Sequence, residues 1–415
     1  MDGGGLPKPS SLNLNIEPGV SGVPLMASVE LGIDSLLAGR PSWLKTARLG
    51  LLANQASVDG RLRHTRDRLL EAGVKLTAIF APQHGYFGEQ QANMIESDDF
   101  IDEHLGIPVF SLYGKTRQPT EAMLSHIDVL IFDLQDVGTR VYTFSTTLAL
   151  CLEAACRHDV EVVVLDRPNP IGGHQREGNL LDLKFRSFVG HLPLPMRHGL
   201  TIAEMARLFN EAFDIGAPLK VFAMEGWKRT MFYRQSGLHW IPPSPNLPTP
   251  ESTLVYPGQV ALEGTNLSEG RGTTTPFELW GSPYLEPKLV LESLNKNNLP
   301  GFVLRPAQFT PSFDKWSGQS CTGFQIHVTD PGTFRPYVSS LTLIQAVLAI
   351  HRDEFRWSSP PYEYEFHHLP IQIILGSGDL HTHLEAGVDV RDLERSWEPQ
   401  LHEFSQRCEP YLLYD

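Results

Sequence analysis

Cysteine is scarce, with four in 415 residues, and Cys151, Cys156, Cys321 and Cys408 contain no Cys-x-x-Cys pair. Cys151 sits in the apolar run Leu148-Ala149-Leu150-Cys151-Leu152, so the thiols read as buried and reduced, which excludes a disulfide scaffold. Long hydrophobic runs and blocks of like charge are lacking too, which excludes a membrane-spanning helix and wholesale disorder. Positive charge is in the minority, 34 Lys and Arg against 48 Asp and Glu for a net charge of −14. Such a surface repels phosphate backbones, so nucleic acid is not an expected partner. What remains, 41% hydrophobic and 20% charged residues, is an ordinary globular composition, long enough for about two or three domains.

Several cofactor and catalytic signatures are also missing. Where a dinucleotide fold would carry G-x-G-x-x-G after its first strand, the chain reads Gly50-Leu51-Leu52-Ala53-Asn54-Gln55-Ala56-Ser57. The stretch Gly264-Thr265-Asn266-Leu267-Ser268-Glu269-Gly270-Arg271-Gly272 has glycines but no phosphate-loop lysine; these read as turn-formers that bring backbone close to a ligand. His367-His368 and His381-Thr382-His383 make no zinc-ligand spacing and read as solvated, and there is no G-x-S-x-G elbow. No cofactor and no metal are expected. Residues 1–26, rich in Gly, Pro and Ser, read as a flexible lead-in without the basic and apolar regions of a signal peptide. The expected location is cytoplasmic, or periplasmic or secreted if a leader has been removed, and no membrane association is expected.

From residue 46 onward, short β-branched runs alternate with amphipathic stretches, the pattern of βαβ units and a mainly parallel sheet. Strands are expected at 47–53, 74–81, 107–112, 128–134, 161–165 and 219–223, with helices at 62–72, 120–126, 145–158 and 201–213. Thr201-Ile202-Ala203-Glu204 reads as a capping box. Residues 240–283 are dense in Pro and Gly and read as a long irregular connection. A smaller α+β region follows, with helices near 289–295, 339–351 and 392–408 and strands near 302–309 and 322–329. The expected division is an α/β domain over 27–284, including the Pro/Gly-rich connection, and a smaller α+β domain over 285–415.

Polar, chemically capable residues gather where the strands end: Asn54-Gln55, Pro82-Gln83-His84-Gly85, Tyr113-Gly114-Lys115, Gln135 to Arg140, and Asp166-Arg167-Pro168-Asn169-Pro170. Ligands of open α/β sheets bind beyond the carboxyl ends of the strands, so a site is expected at that edge. Carboxylates are plentiful there: Glu89, Glu96, Asp98, Asp99, Asp133, Asp136, Asp166 and Glu177, joined by Glu263 and Glu269 from the glycine-rich connection. Paired carboxylates with amides and aromatic faces suit glycoside hydrolysis, in which one carboxylic acid protonates the leaving oxygen. Tyr86, Phe87, Tyr113, Tyr142, Trp240, Trp280 and Tyr284 offer the aromatic floor. Hydrolysis of another bond type stays open at this level, since fold does not fix function.

The segments Pro82 to Gly85, Ser111-Leu112-Tyr113-Gly114, Asp133 to Thr143, Asp166 to Pro170, Ile171-Gly172-Gly173, Pro243 to Pro248, Tyr256-Pro257-Gly258 and Glu263 to Thr273 together resemble a bacterial family, the NamZ-like exo-β-N-acetylmuramidases. The resemblance runs from about residue 30 to the carboxyl terminus. It implies a Rossmann-like domain, a smaller carboxyl-terminal domain and a cleft between them that releases N-acetylmuramic acid from non-reducing ends of peptidoglycan fragments. A small glycan or muropeptide is the implied substrate, and oligomeric state is left open. Many members carry Glu where this chain has Gln83. The acid is then expected among Glu263, Glu269 and Glu177, with Asp133 next, and Gln83 and His84 beside it, in a chain whose sugar specificity is shifted toward a related amino sugar or kept for N-acetylmuramic acid. A non-catalytic glycan-binding protein of the same fold is the alternative. Tyr113, Gln135, Asp136, Arg140, Asp166, Arg167, Asn169, Asn246, Asn266 and Arg271 are the expected substrate-binding residues. One of Arg140, Arg167 and Arg271 is expected to grip the lactyl carboxylate that distinguishes muramic acid from glucosamine.

Overall fold

The structure, a computed structural model, describes residues 29–91, 94–294 and 299–415. The lead-in assigned to residues 1–26 lies outside them. Seven strands form the principal sheet: β1 (Leu49–Ala53), β2 (Leu76–Ala81), β3 (Phe100–Asp102), β4 (Ile107–Ser111), β5 (Val129–Asp133), β6 (Glu161–Leu165) and, after a short ribbon of β7 (Glu177–Leu180) and β8 (Pro195–Arg197), β9 (Leu219–Phe222). Their order is β3-β4-β2-β1-β5-β6-β9, and every pairing is parallel except the edge strand β3 against β4. All six expected strands are therefore present, and the fold is α/β with a mainly parallel sheet.

Side chains alternate across this sheet, so each strand contributes to two cores. Leu52, Phe80, Phe132 and Val164 pack toward the helix Phe144–His158, while Leu51, Ile79, Ile131 and Leu165 pack toward Ile33, Leu36 and Leu69 of the helices Gly32–Gly39 and Thr65–Glu71. Burial on both faces accounts for the near-continuous Val, Ile and Leu runs. The capping box forms as expected: Thr201 Oγ1 accepts from Glu204 N at 3.3 Å, and the Glu204 carboxylate accepts from Thr201 N at 3.0 Å.

The second region contains an antiparallel sheet in the order β10 (Leu279–Ser282), β12 (Cys321–Val328), β11 (Phe302–Phe309), with the helices Pro287–Leu294, Pro336–Ile350 and Val390–Cys408. Its Trp280, Phe324 and Ile344 belong to the same buried cluster as Leu52 and Phe132, so one apolar core runs from the large sheet into the smaller region.

The reading of residues 240–283 as irregular needs correction. They contain the helix Pro250–Gln259, the 3₁₀ turn Val260–Gly264 and β10. Thr249 caps that helix and Pro250 occupies its first position, where a missing N–H costs nothing. A Cβ on Gly258 would lie 2.0 Å from the Pro336 carbonyl oxygen. The glycine that suggested a loop is thus the contact that lets two helices cross closely. Two smaller expectations also change. Cys156 is exposed, and His381 is buried, edge-on to Trp357 at 5.9 Å, instead of solvated.

Candidate active site

Four chain segments meet beyond the carboxyl ends of β2 and β5. After β2, His84 and Gly85 adopt φ of 73° and 83°, a sharp left-handed turn that swings Gln83 and His84 across the sheet edge. After β5 the chain runs through Gln135 and Asp136 to Tyr142 and Thr143, the residues that open the helix Phe144–His158. The 3₁₀ turn after Pro250–Gln259 delivers Glu263, and Arg271 follows from the glycine-rich stretch. The fourth segment is a reversal at residues 362–365. With Val189 and the loop at residues 244–247 they form a pocket lined by Gln83, His84, Tyr142, Thr143, Asn246, Tyr256, Glu263, Arg271, Tyr362 and Glu363, with Val141, Val189, Leu247 and Phe277 supplying apolar wall.

The charges within it are arranged, not merely present. Glu263 Oε1 lies 2.6 Å from Arg271, and its Oε2 accepts from the Tyr362 hydroxyl at 2.7 Å. Arg271 also reaches Glu269 at 3.1 Å, and Lys315 Nζ lies 2.9 Å from the other oxygen of Glu269. Burial works against the Arg271 charge, but Glu263 and Glu269 more than offset it and hold the guanidinium ionised. Burial likewise pushes Glu269 up, and the Lys315 and Arg271 charges hold it below the usual carboxylate range.

Glu363 has different company. Its Oε2 accepts from the Tyr113 hydroxyl at 2.6 Å and its Oε1 from Gln83 Nε2 at 3.3 Å, while Gln83 Oε1 accepts from Thr143 at 2.7 Å. Burial raises the Glu363 carboxyl above its ordinary value and the nearby Glu263 charge adds to the rise, against the hydrogen bonds from Tyr113 and Gln83. Burial lowers the His84 imidazole to about 4. The ring is then neutral, and with Nδ1–H donated to the Gln90 carbonyl at 2.7 Å its Nε2 is left as an acceptor.

Many residues expected at the site serve the scaffold instead. Asp133 is clamped by both sides of the Arg167 guanidinium, at 2.5 and 2.9 Å, and by Thr65; this pair ties β5 to the loop after β6 and occupies both candidates. Glu177 lies at the β7 ribbon, accepting from Val338 N at 2.9 Å with Arg335 at 3.9 Å, so it anchors a helix start. Arg140, 1% exposed, spends its guanidinium on the carbonyls of Asn179, Leu194, Ile374 and Leu375. Asp166 accepts from Thr201, Ala203 N and Tyr414. Asn169 braces Leu200 and Ile171, and Asn266 braces Tyr284, Glu354 and Arg356. Gln135 bonds the Asp136 and Pro168 carbonyls, and Asp136 lies 3.2 Å from His198. Glu269 sits behind Arg271, outside the pocket lining. Gly270 and Gly272, at φ of 78° each, pass within 3 Å of the Leu279 and Phe313 backbones as a Cβ would see them; their freedom serves chain packing, not contact with a ligand.

Glu263, Gln83, His84, Asn246 and Arg271 do line the pocket, and Tyr113 reaches it through Glu363. Among the described residues, no group of three or more His, Cys, Asp or Glu is placed to hold a metal, and no helix is long and apolar enough to cross a membrane.

Comparison with known proteins fits this arrangement. Residues 49–251 match the model for the N-terminal part of exo-beta-N-acetylmuramidase NamZ, and residues 254–414 match the model for its C-terminal part. The chain belongs to the NamZ family. Peptidoglycan beta-N-acetylmuramidase NamZ of Bacillus subtilis is 44% identical over 387 residues, covering 93% of this chain and 91% of that protein. Two crystal structures of DUF1343 family proteins from Bacteroides fragilis superpose with TM-scores of 0.83 and 0.70 at 33% and 28% identity. Each covers 94% of this chain and 99% of its own. The two NamZ models meet between residues 251 and 254, at the helix Pro250–Gln259.

Against this NamZ background, the residues that sequence reading missed are Tyr362 and Glu363. They lie 99 and 280 residues from their partners Glu263 and Gln83. The local signal was the alternation Tyr362-Glu363-Tyr364-Glu365 after Pro360-Pro361, which places two acids and two aromatics on a short reversal.

Proposed function

We propose that this chain is an exo-acting β-N-acetylmuramidase that releases N-acetylmuramic acid from non-reducing ends of peptidoglycan fragments. The observation that carries the reading is the pocket in which two carboxylates occupy opposite environments: Glu263 is ion-paired to Arg271, and Glu363 is bonded to neutral donors. Environments that separate two carboxyl groups in this way divide the tasks of glycoside hydrolysis between them. Glu263, with its negative charge fixed in place, is suited to the developing oxocarbenium charge. The neutral acceptor on His84 and the amides of Gln83 and Asn246 suit sugar hydroxyl and acetamido groups. Val189, Leu247 and Phe277 supply apolar wall against which a sugar ring can lie. Of the three arginines considered for the lactyl carboxylate, only Arg271 reaches the pocket, where it is shared with Glu263 and Glu269. The name of the 44%-identical Bacillus subtilis relative supports the same substrate class.

The test is hydrolysis of muramic acid–glucosamine fragments and of a 4-nitrophenyl β-N-acetylmuraminide, beside the matching glucosaminide. Free N-acetylmuramic acid from the chain end, and a Glu263→Gln variant reduced by about 10²-fold or more, are expected. Glycan binding without product release at high protein concentration would refute the reading in favour of a binding protein.

A further inference from the structure

The reversal that delivers Glu363 is strained. Tyr362 N donates to the Glu365 carbonyl at 3.0 Å and Glu365 N to the Tyr362 carbonyl at 2.9 Å. Between them Glu363 and Tyr364 take φ of 45° and 65°. Two consecutive left-handed positions define the two-residue turn that Asn and Gly fill cheaply, whereas a Glu and a Tyr carry a steric penalty there. Strain of this kind persists where surrounding structure over-determines it, and it concentrates at functional sites.

What the turn achieves is the placement of one carboxyl. Glu363 is 4% exposed, faces the pocket and is fixed at both oxygens by Tyr113 and Gln83. Thr143 engages the Gln83 oxygen, which leaves the amide nitrogen toward Glu363. Among the described residues no cation is ion-paired to it. The charged and titratable groups that face it are Glu263, Arg117, Tyr113, Tyr256, Tyr362 and Tyr364. Burial and the Glu263 charge favour its protonated form, and Arg117 opposes them at longer range.

We infer that Glu363 is the catalytic acid, the group whose proton passes to the glycosidic oxygen. This rests on the muramidase reading above. As the C1–O bond breaks, its electron pair stays on the departing oxygen, which takes the Glu363 proton. Water bonds through oxygen to C1. Its surplus proton passes to the Glu263 carboxylate and on to solvent, from which Glu363 is reprotonated. Gln83 and Tyr113 are positioning residues that aim the carboxyl.

The experiment compares a muramic acid–glucosamine disaccharide, whose leaving group needs a proton, with the 4-nitrophenyl muraminide, whose leaving group does not. Glu363→Gln is expected to lose about 10²- to 10⁴-fold on the disaccharide and less than about tenfold on the aryl substrate, and the basic limb of its kcat/KM profile disappears. Glu363→Asn relieves the turn, so it melts no lower than wild type while failing on the disaccharide. Tyr113→Phe removes a hydrogen bond that favours the ionised form, so the basic limb moves to higher pH. Equal losses on both substrates in folded Glu363→Gln, or a basic limb that persists, overturn the assignment of the acid and leave the muramidase reading intact. Wild-type protein that cleaves neither substrate overturns both.

Discussion

Arg271→Met probes the charge cluster under the pocket most directly. Arg271 has a side chain 8% exposed, lies between Glu263 at 2.6 Å and Glu269 at 3.1 Å, and stands 5.3 Å over the Phe277 ring. Methionine preserves apolar bulk and deletes the charge. Glu269 keeps Lys315 at 2.9 Å, so most of the loss falls on Glu263, whose side chain is 6% exposed. Removing one partner of a buried ion pair costs about 3–5 kcal/mol, because the remaining charge stays desolvated. Urea unfolding at neutral pH should therefore show a deficit of that size, with Tm lower by several degrees. Arg271→Met combined with Glu263→Gln should recover a large part of it, since a neutral amide replaces the stranded carboxylate, and the cycle gives the pair's coupling. A single variant within about 1 kcal/mol of wild type, or a double variant no more stable than the single, would refute the view that Glu263 and Arg271 form one buried electrostatic unit.

Two other sites give independent checks. Arg140→Met strands four backbone carbonyls that link the β7–β8 ribbon to residues 374 and 375. It should destabilise by roughly 3–5 kcal/mol while the preference for muramic over glucosamine substrates stays unchanged in the folded fraction; a selective loss of muramic substrates would place Arg140 back at the site. Asp166 is pushed up to about 7 by burial, against hydrogen bonds from Tyr414, Ala203 and Thr201. The folded state then holds a proton that the unfolded state, with a carboxyl near 3.9, releases. Its contribution is complete below about pH 4 and is lost as pH rises to about 7. Asp166→Asn abolishes that titration, so its stability relative to wild type should improve by roughly 2 kcal/mol between pH 5 and 7; parallel stability curves for the two proteins would show that Asp166 stays ionised.

The sequence alone determined the large sheet. Alternation of β-branched runs with helical periods is a local property, and burial on both faces makes it strong. The six parallel strands and the Thr201–Glu204 cap were accordingly legible. So was the edge that bears polar residues, because parallel strands all end on one side, and Gln83, His84, Glu263, Asn246 and Arg271 were legible as motif residues. Tertiary structure decided which carboxylates face the pocket. Asp133, Asp166 and Glu177 look no different from Glu263 in one dimension, but Arg167, Tyr414 and Val338 arrive from distant segments to occupy them. Gly258 is one of the glycines that make residues 240–283 look like a connection, and only the helix Pro336–Ile350 passing against it gives it a packing role. Glu363 was invisible for the same reason: its partners Gln83 and Tyr113 lie 280 and 250 residues away, and only the folding of the carboxyl-terminal region onto the sheet edge turns an ordinary exposed-looking acid into a buried one.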